Sequence, residues 1–235
     1  MRMAERIANA TIKRLTRMIC RVDDRFLKHV PFKGPLILTA NHINILDAPV
    51  VLTHLKPRII SGFAKAETWD NPLIAWLFNL WNAIPITRGE VDRKALRHAL
   101  EILKDGQILA VAPEGTRSGD GRLQRGYSGI TLLAMQSGAP ILPMAYYGGE
   151  RFTDNIRRLR RTDFHIEVGD SYYLDAGGER PTKEVRQAMT DEIMYQIAAL
   201  LPQRYRGYYA DLNLATEKYL RFPPTSKSNL RRAPI

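Results

Sequence analysis

His42 and Asp47 lie in the run Asn41-His42-Ile43-Asn44-Ile45-Leu46-Asp47, which follows directly on the apolar, strand-like stretch Leu36 to Ala40. A histidine titrates nearer neutrality than any other side chain, and a neighbouring aspartate can fix its tautomer and stabilise the imidazolium formed when it takes a proton. Five residues is not a helix-face spacing. However, Asp47-Ala48-Pro49 reads as a helix start, with Asp47 at or near the N-cap and Pro49 in the first turn. The loop can therefore fold Asp47 back onto His42. Taken alone, the two residues also fit a strand end and a helix cap that do no chemistry.

The elements that must position such a pair alternate along the chain. Short apolar runs predict strands over 36–40, 58–64, 83–87, 107–112, 140–147 and 164–168. Helical patterns fall at 48–55, 72–81, 91–104, 128–136 and 182–201, with Gly106 and Gly138 placed where C-terminal glycines stop helices. The alternation predicts an α/β fold with a mixed, largely parallel central sheet flanked by helices. The segment Pro72 to Trp81 is apolar almost all round and too short for a bilayer; it reads as core, or else as an interfacial patch through its two Trp and one Phe.

Three further loops share the strand-end placement. Ile84-Pro85-Ile86-Thr87-Arg88-Gly89 ends in an arginine, a planar cation suited to phosphate oxygens. Ala112-Pro113-Glu114-Gly115-Thr116-Arg117-Ser118 packs acid, glycine, hydroxyls and cation into one turn, and Pro140-Ile141-Leu142-Pro143 opens the next strand. Each loop alone could be a solvent-exposed turn. In this order, NHINILD, IPITRG, PEGTRS and PILP resemble the four motif blocks of the lysophosphatidate acyltransferase family over roughly residues 30 to 205, and Lys65 in Gly62-Phe63-Ala64-Lys65-Ala66-Glu67 is similar to another recurrent family position.

The resemblance implies acyl transfer from an acyl thioester, carried by coenzyme A or acyl carrier protein, to the free hydroxyl of an acylated glycerol phosphate, with no bound cofactor. It implies His42 as general base oriented by Asp47, and Arg88 as leading phosphate ligand helped by Lys65 and Arg117. Glu114 and Gly115 are expected to seat the glycerol phosphate, with Thr116 and Ser118 at its margin. Pro140 and Pro143 are expected on the acyl or thioester side. The residue types suit this chemistry, because a hydroxyl is a poor nucleophile until a base removes its proton. Glycerol 3-phosphate, another lysophospholipid or a glycolipid stay open as acceptors, as does a non-catalytic lipid-binding protein of the same fold.

The formal charge is +11 and sits at the ends. Residues 1 to 30 hold eight Lys/Arg against three acids and residues 206 to 235 hold six against two, so the ends carry +5 and +4. On a helical wheel Ile7, Ile12, Leu15, Met18, Ile19, Val22, Phe26 and Val30 fall opposite the Arg and Lys residues of the same segment. That predicts a basic amphipathic helix over 1–30, lying on an anionic membrane surface or packed on the core. The acyltransferase domain is expected at 31–205, and 206–235 as a basic, partly mobile extension. No recognisable nucleic-acid motif accompanies the charge, the five histidines lack paired ligand spacing for a metal, and a single cysteine excludes an internal disulfide. With neither a span nor a signal peptide legible, the expected location is the cytoplasmic face of a membrane, peripheral or monotopic. Two substitutions separate the implied roles. His42→Ala should abolish the chemical step with acceptor binding retained, and Arg88→Ala should chiefly raise the acceptor KM; steady-state kinetics with equal loss of acceptor binding in both would undo the division.

Overall fold

The computed structural model describes residues 3–55, 58–87, 92–178 and 180–232. Helix α1 (Met3–Ile19) leads into strand β1 (Cys20–Asp23), followed by β2 (Leu36–Ala40), α2 (Asp47–His54), β3 (Ile60–Lys65), α3 (Pro72–Leu80) and β4 (Ile84–Ile86). The chain continues through α4 (Arg93–Lys104), β5 (Ile108–Val111), α5 (Gly129–Ser137), β6 (Ile141–Tyr147), α6 (Phe152–Arg157) and β7 (Thr162–Val168), then β8 (Tyr173–Leu174), α7 (Lys183–Ala198) and β9 (Leu220–Arg221).

Seven strands form one sheet in the order β1-β7-β6-β2-β5-β3-β4, in which only β6 against β7 is antiparallel. The mixed α/β sheet with flanking helices is the fold expected of the sequence. Strand β2 lies at its centre, and all five of its residues are buried. Alternate side chains feed opposite cores, as the two-residue period of a strand dictates. Leu36, Leu38 and Ala40 pack with Val50 and Val51 of α2, whereas Ile37 packs with Ala99 and Leu103 of α4 and Ile130 of α5. Gly138 ends α5 at φ +62°, a left-handed conformation that costs glycine little, so its C-cap role follows from the residue type.

Three expectations change. The first helix stops at Ile19 instead of running to residue 30, because Cys20 to Asp23 pair in parallel with β7 and the Arg161 guanidinium donates to the carbonyls of Arg17 and Cys20. Its wheel also divides differently: Asn9, Ile12, Thr16 and Ile19 face the protein, while Met3, Ile7, Leu15 and Met18 are exposed. Helix α3 is neither wholly core nor wholly surface. Leu77 and Phe78 pack inward, but Leu73, Ile74 and Trp76 are exposed.

The basic C-terminal extension, expected to be partly mobile, is packed as far as it is described. Glu192 of α7 accepts from the Thr216 hydroxyl and the N–H groups of Lys218 and Tyr219, and Gln196 accepts from Asn229 N–H and donates to Ser228 Oγ. These polar α7 residues are buried, which is why the tail must cover them.

His54, at the end of α2, is buried with its Nδ1 3.0 Å from the Val50 carbonyl oxygen. Burial, reinforced by Lys13, pushes its pKa down to about 4. The unfolded chain takes up this proton near pH 6.5, so the neutral buried form contributes stability above about pH 6.5 that is lost as pH falls towards about 4. Urea denaturation should therefore show wild type losing stability relative to His54→Leu as pH falls from about 6.5 towards about 4.

Candidate active site

Strands β2 to β6 point their carboxyl ends the same way, while β1 and β7 run opposite to them, and from the adjacent strands β2 and β6 the chain continues towards opposite edges of the sheet, to β3 and to β7. This switch point is where open α/β sheets hold ligands. Three sets of hydrogen bonds shape the loop after β2. Asn41 is a buried amide whose Nδ2 donates to the Tyr146 carbonyl at 2.9 Å and whose Oδ1 accepts from Tyr146 N–H at 2.7 Å. It extends the β2–β6 pairing by one side chain and so fixes where His42 begins.

Asp47 supplies the second set. Its Oδ2 accepts from His42 Nδ1 at 2.7 Å and from the N–H groups of Ile43 and Asn44 at 2.6 and 3.1 Å. A carboxylate oxygen only accepts, so Nδ1 carries the hydrogen and Nε2 presents its lone pair. The pair anticipated across five residues is thus formed, with the Asp47 side chain 5% exposed and that of His42 24% exposed.

Glu114 supplies the third set. It is 1% exposed, and its two oxygens accept from His42 N–H at 2.9 Å and Gln124 N–H at 2.8 Å. The His42 and Ile43 carbonyls in turn accept from the N–H groups of Ser118 and Gly119. The turn after β5 is therefore stitched to the loop after β2. Burial pushes the Glu114 carboxyl up to about 7, the two N–H donors working against that rise.

Beneath His42 an apolar cavity of about 140 Å³ runs between the sheet and the helices α2 and α3. Its walls are Leu38, Ala40, Val51, Leu52, Phe63, Phe78, Trp81, Ala110 and Tyr146, and its polar members are Asn41, His42 and Asp47. The arrangement places a lone-pair nitrogen at the edge of a slot suited to a hydrocarbon chain.

The other expected site residues divide. Lys65 ends β3 on the same side of the sheet, half exposed and 2.9 Å from the Glu67 carboxylate. Thr116 is half-buried, Gly115 and Arg117 are exposed, and Ser118 Oγ accepts from Gly121 N–H. Arg88 lies outside the described residues, just beyond β4. Two expectations are corrected. Glu114 is turned inward, with one oxygen on each of two backbone donors, instead of facing an acceptor phosphate. Pro140 and Pro143 lie away from the cavity: Thr39 is level with Pro143, so Pro140 stands about 20 Å below the level of His42 at ~3.3 Å per residue. Pro143 tolerates its missing N–H because it faces the point where β7 has ended, its carbonyl accepting from Gly169 N–H. Sequence reasoning passed over Asn41, whose signal is a polar residue closing an apolar strand. It also passed over Gln124, which carries none.

Fold and site together define an α/β protein with a His–carboxylate pair at the switch point of its sheet. Residues 21–147 match the family model described as Acyltransferase. The chain belongs to the acyltransferase family, and it is an enzyme of that class. It is 24% identical to a 1-acyl-sn-glycerol-3-phosphate acyltransferase of Bacillus subtilis, the match covering 74% of this chain and 84% of that protein. A Pseudomonas aeruginosa protein of the same name is 25% identical over 79% of this chain and 74% of its own length. Among solved structures, the 1-acyl-sn-glycerophosphate acyltransferase PlsC of Thermotoga maritima superposes with a TM-score of 0.60 at 24% identity, covering 81% of this chain and 78% of that one, which establishes the shared fold.

The Glu114 geometry has a measurable consequence. Between about pH 4.5 and about pH 7 the folded protein holds a proton on Glu114 that the unfolded chain has lost, so this group's contribution to stability declines as pH rises through that window, by on the order of 2 kcal/mol. Glu114→Gln should remove this pH dependence in urea melts. It should also cost about 1–3 kcal/mol, since one backbone N–H loses its acceptor, and it should lower kcat more than it changes the acceptor KM.

Proposed function

We propose that this enzyme transfers a fatty acyl group from an acyl thioester to the free sn-2 hydroxyl of lysophosphatidate, forming phosphatidate. The observation that carries the proposal is His42, held through Nδ1 by Asp47, standing over an apolar cavity. The acyl chain occupies the cavity and brings its thioester carbonyl to the level of Nε2. As the acceptor oxygen attacks that carbonyl, Nε2 takes the hydroxyl proton and Asp47 balances the resulting imidazolium. The tetrahedral intermediate then collapses, the carbon–sulfur bond breaks, and His42 returns the proton to the departing thiolate of coenzyme A or acyl carrier protein.

Acyl transfer in one displacement accords with Cys20, the single cysteine. It is fully buried in β1, and burial pushes its thiol up to about 11, so it offers no thiolate. The acyl group arrives activated, so no bound cofactor is required. Arg88, with Lys65 and Arg117, binds the acceptor phosphate, and Gly115, Thr116 and Ser118 border it. The names of the relatives support lysophosphatidate over other acceptors.

The enzyme works at an anionic membrane surface on the cytoplasmic side, bound peripherally. Met3, Ile7, Leu15 and Met18 form an exposed apolar stripe on α1, flanked by Arg6, Arg14 and Arg17. Among the described residues no helix is long and apolar enough to cross a membrane.

An assay offering lysophosphatidate, glycerol 3-phosphate and lysophosphatidylethanolamine in parallel tests the reaction. Wild type should prefer lysophosphatidate, and His42→Ala should lose about 10²- to 10⁴-fold in kcat, the usual worth of a general base. Transfer to none of the three, or equal transfer by His42→Ala, would overturn the proposal.

A further inference from the structure

Between α6 and β7 the chain reads Ile156-Arg157-Arg158-Leu159-Arg160-Arg161, four arginines in five residues with no acid between them. Leu159 is 96% exposed and adopts φ +51°. A leucine stands here where both solvent and backbone disfavour it, and a non-glycine residue held in this conformation motivates a hypothesis of function. The turn is not loose. Arg158 and Arg160 N–H donate to the Asn155 carbonyl, Leu159 N–H donates to that of Ile156, and Asn155 Nδ2 donates to Thr162 Oγ1. Arg161 is committed to the carbonyls ending α1, whereas Arg157, Arg158 and Arg160 are exposed and have no acidic partner among the described residues.

Register puts this turn at the working end of the sheet. Strand β7 runs antiparallel to β6, with His165 opposite Tyr147, so its first residue, Thr162, emerges beside the carboxyl ends of β6 and β2. Cys20 pairs with Thr162, and that brings the end of α1, with exposed Met18, to the same edge. An exposed apolar tip ringed by unpaired guanidinium groups, continuous with the basic apolar stripe of α1, has the complementarity of an anionic bilayer: phosphates for the arginines, acyl chains for the leucine. We propose that the 156–161 turn is a second membrane contact, in which Leu159 enters the acyl boundary and Arg157, Arg158 and Arg160 bind lipid phosphates. Together with α1 it presses the His42 end of the sheet against the lipid. This rests on the reading of a membrane-borne acceptor.

Because Cys20 is buried, Leu159→Cys places one reachable thiol at the tip of the full chain for an environment-sensitive dye. The dye emission should shift to the blue on phosphatidylcholine vesicles containing about one-fifth phosphatidylglycerol, and not on phosphatidylcholine alone. Replacing Arg157, Arg158 and Arg160 by Gln should weaken binding to the anionic vesicles by about fivefold per residue. Transfer to a short-chain, water-soluble lysophosphatidate should be unchanged in all of these variants. If wild type binds the vesicles while the dye does not shift, or the triple variant binds as wild type does, the turn is no contact and α1 acts alone. If wild type binds neither vesicle yet acylates the soluble acceptor, the turn and the membrane reading both fail while the reaction stands. Arginine-dependent capture of single-stranded RNA in preference to vesicles would also overturn the assignment.

Discussion

Everything at the end of the sheet depends on a buried carboxyl group that accepts from two backbone N–H groups. Glu114 adds a side-chain tie to the backbone bonds between two loops, one oxygen on the N–H of His42 and the other on that of Gln124. Asp47 grips the same histidine from the other side through its ring nitrogen. The imidazole is thus fixed at both backbone and side chain, by two acids from different elements. Such double restraint holds the imidazole in one place and orientation, as preorganised sites require.

How much of this the sequence disclosed depended on whether the relevant force was local. The α/β alternation, the strand ends and the helix start at Asp47 were legible because apolar period and capping chemistry are written in adjacent residues. The His42–Asp47 pair was legible for the same reason. Glu114 was visible as a residue in the right turn, but its partners lie 72 and 10 positions away, and only the fold reveals that it faces inward. Pro143 illustrates the opposite case: the resemblance implies a place on the acyl or thioester side, whereas the residue marks where a neighbouring strand has run out. Strand β1 was hidden inside a helical pattern, since four residues of tertiary pairing outweighed the local periodicity. The cavity walls come from six separate elements, and no window of sequence contains them.

Charge was legible as a sum and misleading as a map. The basic excess was assigned to the two ends of the chain, yet one end is tied down by Glu192 and Gln196, and a compact arginine cluster lies in the region that summed to near neutrality. Net charge per segment averages away such clusters. Where cations sit on the folded surface is decided by strand direction, and the reversal of β7 is what gathers Arg157 to Arg161 and the end of α1 at the end of the sheet that carries His42 and Glu114.

That reversal also sets an order of events. Strand β1 has a single partner in the sheet, β7, and Arg21 finds Asp163 across 142 positions, whereas β3 and β4 join across a short connection. Loop-closure entropy makes the β1 pairing the most distant one the sheet must form. As the chain is synthesised, α1 and β1 emerge long before β7, and β1 waits for its partner until most of the domain has been made. The central strands therefore assemble before their outer edge is sealed, and a segment made earlier than every other strand of the sheet is among the last to be secured.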